Sequence, residues 1–188
     1  ASGGNYSKAA DARWNYAQFG NVSLAVQKAD VLQASTAAAF ADLTAPKATD
    51  VETVGQFVFL FDTNEATYGD SPNRWWCCAK GDYTNWVPSV TLECATGILT
   101  SAPGPMKGGK RFGNAIVVYK EKSMFLGIYL GAPNVWDFTE LPGSAGALGK
   151  AVIVDVGTPE DPKHIFMGHD DFYKFDGSRA IRIGTPVR

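Results

Sequence analysis

Apolar residues in this chain recur at every second position and almost nowhere at every third or fourth. That spacing puts alternate side chains on opposite faces of an extended backbone, so it directs the chain to strands and away from helices. Asn21-Val22-Ser23-Leu24-Ala25-Val26 alternates cleanly, as do Ala115 to Tyr119 and Ser123 to Tyr129. Gln56 to Phe61 is a continuous apolar run, the pattern of a strand covered on both faces. Ala151 to Val156, Ile165 to Met167, Phe172 to Phe175 and Ala180 to Ile183 complete a series of about eleven short strands. Only Ala34 to Leu43 has the composition of a helix. The 20 Gly and 10 Pro among 188 residues are too many for a helical bundle. Their placement predicts turns instead. Asp176-Gly177 is a hairpin signal, and Glu121-Lys122 and Asp170-Asp171 link neighbouring apolar runs. Residues 63–73 and 100–111 read as surface loops, as does the charged stretch Glu160 to Lys163.

The strands recur as units. Phe19-Gly20-Asn21 and Phe112-Gly113-Asn114 each precede an alternating strand. Gly81 and Gly131 are each followed by a polar turn and, five residues on, by a Trp, at Trp86 and Trp136. Strand starts at Val22, Phe57, Ile116 and Val152 are spaced by 35, 59 and 36 residues. A repeat of about 35 to 45 residues with three or four short strands is the signature of a propeller blade. The expected fold is therefore all-β, one domain over 1–188, a β-propeller-like array of short antiparallel strands. A β-sandwich is the alternative.

Composition narrows the function. A net charge of −2 disfavours a general nucleic-acid surface, which needs clustered Lys and Arg. No apolar run reaches the roughly 18 residues of a membrane span. Cys77, Cys78 and Cys94 are odd in number and form no disulfide framework. They read as buried reduced thiols in a protein made in a reducing compartment. The start, Ala1-Ser2-Gly3-Gly4, has neither an initiator Met nor a leader, and reads as a piece cut from a longer chain.

Sites with reactive potential are few, and each has a structural reading. Gly168-His169-Asp170-Asp171 has carboxylates fit for a divalent cation, and is also an ordinary Asp-rich turn. Gly108-Gly109-Lys110 lacks the spacing of a phosphate loop and has Arg111 where Ser or Thr belongs. Trp75, Trp76, Trp86 and Trp136 suit either sugar stacking or a core. Asp62, Glu65 and Asp70 make a glycosidase pair only if space brings two of them together. Lys107, Lys110 and Arg111 are the one basic cluster, a candidate contact for a partner subunit or DNA phosphate. No Ser-His-Asp or Cys-His arrangement is visible around His164 or His169. No catalytic residue, cofactor or metal is expected.

One resemblance covers nearly the whole chain. It runs through Trp14-Asn15-Tyr16-Ala17-Gln18-Phe19-Gly20-Asn21, then Phe40-Ala41-Asp42-Leu43, then Arg74-Trp75-Trp76-Cys77-Cys78-Ala79-Lys80-Gly81-Asp82. It ends on Gly168-His169-Asp170-Asp171-Phe172-Tyr173-Lys174-Phe175-Asp176-Gly177 and Ile183-Gly184. This order resembles the β-propeller region of the tail nozzle, or packaged-DNA stabilisation, proteins of short-tailed bacteriophages. It departs from the family at Trp76-Cys77-Cys78, where a small residue is usual. The resemblance implies a non-enzymatic structural protein of the virion tail, made in the host cytoplasm. Several copies, commonly six, would form a ring below the portal and its adaptor, dock fibres or spikes and retain packaged DNA. It also implies a partial propeller from a larger subunit, with Pro186-Val187-Arg188 starting a further strand. A mildly acidic wall suits a conduit through which DNA slides without specific recognition. A glycan-binding propeller module and a propeller-based glycoside-processing enzyme are the alternatives.

Overall fold

The computed structural model describes residues 13–37, 39–143 and 145–184. Within them the chain forms sixteen strands in four antiparallel four-stranded sheets, each a meander of consecutive strands. Sheet I contains β1 (Asn15–Phe19), β2 (Val22–Val26), β3 (Gln33–Ser35) and β4 (Ala41–Asp42). Sheet II contains β5 (Lys47–Val54), β6 (Phe57–Glu65), β7 (Gly69–Cys77) and β8 (Ala95–Ile98). Sheet III contains β9 (Met106–Phe112), β10 (Ala115–Lys120), β11 (Met124–Gly131) and β12 (Val135–Glu140). Sheet IV contains β13 (Ile153–Asp155), β14 (His164–Met167), β15 (Phe172–Phe175) and β16 (Ala180–Arg182). A single 3-10 turn, Lys150–Val152, leads into sheet IV. No helix among the described residues is long and apolar enough to cross a membrane.

The sheets pack face to face in chain order around three cores. Sheets I and II enclose Leu24, Val51, Val58, Leu60, Trp76 and Trp86. Sheets II and III enclose Phe57, Phe59, Phe61, Trp75, Ile116, Val118 and Trp136. Sheets III and IV enclose Phe112, Val117, Tyr119, Ile153, Phe166 and Phe175. Strand parity explains the apolar runs. On β6 the odd residues face sheet III and the even ones face sheet I, so neither face reaches water. The run Phe57 to Phe61 reflects two-sided cover of an antiparallel sheet rather than parallel pairing. Burying each such ring is worth about 1.5–3 kcal/mol. First strands of successive sheets lie side by side, β1 by β5, β5 by β9 and β9 by β13.

Three sheets open with the same two-residue hairpin. Phe19 pairs with Val22, Val54 with Phe57, and Phe112 with Ala115. The first loop residue is Gly20, Gly55 or Gly113, with φ between 56° and 61°. Positive φ at the first position only is the type II′ pattern that Gly serves. Sheet IV departs from this. Asp155 pairs with His164 across the long connection 156–163.

Several expectations change. The Ala34–Leu43 stretch is no helix: Ala34 and Ser35 pair with Leu24 and Ser23, because a helix there would leave β2 an open edge. Residues 63–73 are a hairpin rather than a loop, with Thr63 paired to Ser71 and Glu65 to Gly69. Its polar sequence reflects a tip that extends past the core. Residues 100–111 are loop only to Pro105, since β9 begins at Met106. Its glycines serve close approach: a Cβ on Gly109 would lie 2.1 Å from the Phe61 ring. Ala151 and Val152 belong to the 3-10 turn, so Val152 does not open a second strand as Val22 and Phe57 do. The Ala1–Gly4 and Pro186–Arg188 readings lie outside the described residues. The hairpin at Asp176-Gly177 and the turns at Glu121-Lys122 and Asp170-Asp171 stand where expected.

Candidate binding clefts at the hairpin face

The glycine hairpins of sheets I, II and III bound two adjoining clefts. Between sheets I and II lies a space of about 520 Å³ lined by Gln18, Phe19, Asn21, Gln56, Tyr83 and Arg111. Between sheets II and III lies one of about 740 Å³ lined by Phe57, Lys80, Phe112, Asn114, Tyr129 and Trp136, among others. Gly55 and Gln56, the tip of the β5–β6 hairpin, form a wall common to both. The second loop residue of each hairpin is a carboxamide, Asn21, Gln56 or Asn114, and all three are exposed.

The charged groups divide sharply. The Arg111 Nε donates to the Gly113 carbonyl at 2.9 Å, which leaves the two terminal nitrogens without an ion-pair partner among the described residues. Lys80 is engaged: its Nζ lies 2.9 Å from Glu93 Oε2 and 2.6 Å from Tyr129 Oη. Tyr129 in turn donates to Glu93 Oε1 at 2.7 Å. The hydrogen bond from Tyr129 and the Lys80 cation hold the Glu93 carboxyl below its ordinary range. This triad ties the β7–β8 connection to the β11–β12 hairpin.

A second polar centre lies where the first strands meet. Asp50 is buried, accepts the Gly109 N–H at 2.8 Å and pairs with Lys150 at 3.1 Å. Lys150 also lies 3.3 Å from Glu52. Burial pulls the Lys150 pKa down, but the Asp50 and Glu52 charges outweigh it, and the net shift is upward. The ammonium therefore clamps β5, β9 and the entry to sheet IV. His164 is sealed nearby. Its Nε2 donates to the Arg111 carbonyl at 2.8 Å, so its Nδ1 accepts from Tyr119 Oη, also at 2.8 Å. Burial lowers its pKa.

The basic residues anticipated as one cluster are separated. Lys107 is the extra residue of a β-bulge on β9, Lys110 lies 3.7 Å from Glu52, and Arg111 alone borders a cleft. Gly168–Asp171 is the β14–β15 turn, where Asp170 accepts from Tyr173 and pairs with Arg182. Asp62 and Asp70 share Lys28, and Glu65 accepts the backbone N–H groups of Thr67 and Tyr68. Both carboxylates are thus turned to one shared ammonium. Trp75, Trp76, Trp86 and Trp136 are core residues, each at most 6% exposed. The cysteines are free and buried, and burial raises all three thiol pKa values, to about 12 for Cys78 and about 11 for Cys94. No group of three or more His, Cys, Asp or Glu among the described residues is placed to hold a metal. Sequence reasoning missed the carboxamide row. Gly20-Asn21 and Gly113-Asn114 were its visible signal, and Gly55-Gln56 was hidden by the apolar run that follows it. No protein-family model matches the chain, and no curated protein matches it.

Proposed function

We propose that this chain is a structural component of a bacteriophage tail nozzle, built as propeller blades, with no catalytic role. Besides the resemblance in sequence order, one observation carries the reading. Four meander sheets stack in chain order with adjoining first strands, and the outer face of the last sheet is open and, Lys174 apart, apolar. Adjoining first strands are how blades meet around an axis, which favours a propeller over a sandwich.

The outer face of sheet IV has two rows of side chains. Val154, Ile165, Lys174 and Ile181 pair across the four strands, and Met167 pairs with Phe172. Val154 is 53% exposed and Phe172 50%. A patch of this kind marks an interface. The occupant proposed here is a further four-stranded sheet, which continues the face-to-face packing of the three internal cores. It is not sheet I of a second copy. The rows of sheet I that face away from sheet II, Tyr16-Ala25-Gln33-Asp42 and Gln18-Ser23-Ser35, are largely polar, and Ala25 and Gln33 are already buried, so they offer the apolar rows no open matching face. Copies of the subunit, commonly six in the family, then ring the DNA path, with the adaptor, portal, fibres or spikes as neighbours. Among Lys107, Lys110 and Arg111, Lys110 is paired with Glu52, and Arg111 offers a cation at a cleft to a partner.

Electron microscopy of the full-length protein, alone and in its particle, tests this. Ring-shaped classes, or density for this chain around a tail axis, are expected. Separate subunits with no place in any particle would overturn it.

A further inference from the structure

We propose that the hairpin face of sheets I to III binds a carbohydrate chain bearing sparse carboxylates, with Arg111 holding the acidic group. The site is built from the turn residues themselves and does not rest on the nozzle reading. Asn21, Gln56 and Asn114 stand at the second position of three successive hairpins. None of these carboxamides makes a side-chain hydrogen bond within the described residues, and each offers both a donor and an acceptor. That pairing of functions matches vicinal hydroxyls, which donate and accept from adjacent atoms. Exposed aromatic surface lies beside them. Tyr129 packs against Phe57 and Trp136 with centroids 5.3 Å and 5.6 Å away, while 38% of its surface stays exposed. Tyr83 stands edge-on to Phe19 in the neighbouring cleft.

The charge pattern sets the ligand class. Arg111 is exposed, and the Nε bond to Gly113 fixes its plane while leaving the terminal edge open. A guanidinium edge so presented takes a carboxylate through two parallel hydrogen bonds. Among the described residues, the one other cation lining either cleft, Lys80, is neutralised by Glu93. One free cation across two clefts, among the described residues, suits a sugar chain with a carboxylate on some residues and hydroxyls on the rest. It does not suit a nucleic acid, whose affinity grows with the number of phosphates neutralised. The walls are hairpin turns rather than a free strand edge, so an extended peptide gains no backbone ladder here.

Titration calorimetry of the full chain tests this with oligosaccharides of hyaluronan, unsulfated chondroitin and heparosan, each with a carboxylate on alternate residues, a neutral chitin oligosaccharide of equal length, and a poly-glutamate peptide. At least one acidic sugar should bind, with the neutral chain about tenfold weaker. Arg111→Gln should weaken the acidic sugar about tenfold and leave the neutral one unchanged, with Arg111→Lys recovering part of the loss. Asn114→Ala should weaken acidic and neutral sugars alike, which keeps the test decisive if an Arg111 variant fails to fold. Absence of binding by all three acidic sugars, equal binding of acidic and neutral chains, or preference for poly-glutamate would each overturn the proposal.

Discussion

Sheets III and IV are built from the same kind of strand and end in different surroundings. On β10 of sheet III, Ile116 and Val118 pack toward sheet II while Val117 and Tyr119 pack toward sheet IV. On β14 of sheet IV, Phe166 is buried against sheet III, whereas its neighbour Met167 is 38% exposed. Sheet III opens with a two-residue glycine turn, and sheet IV with the eight-residue connection 156–163. The strands of sheet IV nevertheless have apolar side chains on both faces. Alternation alone thus does not tell which face is covered; a run that is apolar on both sides says only that both are suited to burial. Sheet IV meets half of that condition within this chain.

The contrast can be broken at its strongest point first. Phe59 stacks on Phe61 and meets Trp136 edge-on between two sheets. Phe59→Ala should cost about 3–5 kcal/mol in chemical denaturation, through lost burial and the cavity left behind. Next is the clamp that joins sheets II and III to the start of sheet IV. Lys150→Met leaves Asp50, 2% exposed, without its cation and should cost about 3 kcal/mol. A loss below about 1 kcal/mol would show that the clamp does not hold the sheets together.

The sheet III–IV interface should also respond to acid. Tyr119 donates to His164 Nδ1, and burial holds the His164 pKa below its ordinary 6.5. The unfolded chain therefore binds this proton more readily than the folded one. The associated stability is complete above pH 6.5 and is lost as pH falls from there through the folded-state value, by at most about 1.4 kcal/mol per pH unit. Urea titrations across that range should show the slope, and His164→Asn should remove it. The smallest effect belongs to the open face. Phe172→Ser should change the stability of the isolated chain by no more than about 0.5 kcal/mol. A loss as large as that of Phe59→Ala would mean that the face is covered within the chain.

Much of this was legible in the residues. The all-β class followed from period-two spacing, and the turn at Asp176-Gly177 from its dipeptide. What escaped notice did so for physical reasons. Polar residues 63–73 looked like a loop because a hairpin tip beyond the core needs no apolar side chains. Gly108 and Gly109 looked like part of a surface loop, when the bare backbone at Gly109 makes room for Phe61. Lys150 lies about a hundred positions from Asp50 and Glu52, and only the meeting of first strands unites them. The carboxamide row was half visible, since each amide is read from its own turn while the row exists only once three sheets are stacked.

The central claim is that the open face of sheet IV is covered by another sheet in the proposed tail assembly. Hydroxyl-radical footprinting of the free chain and of the purified tail assembly tests it directly. Met167 and Phe172 should be labelled in the free chain and protected in the assembly, with Phe59 silent in both. Equal labelling of Met167 and Phe172 in the two samples would contradict it.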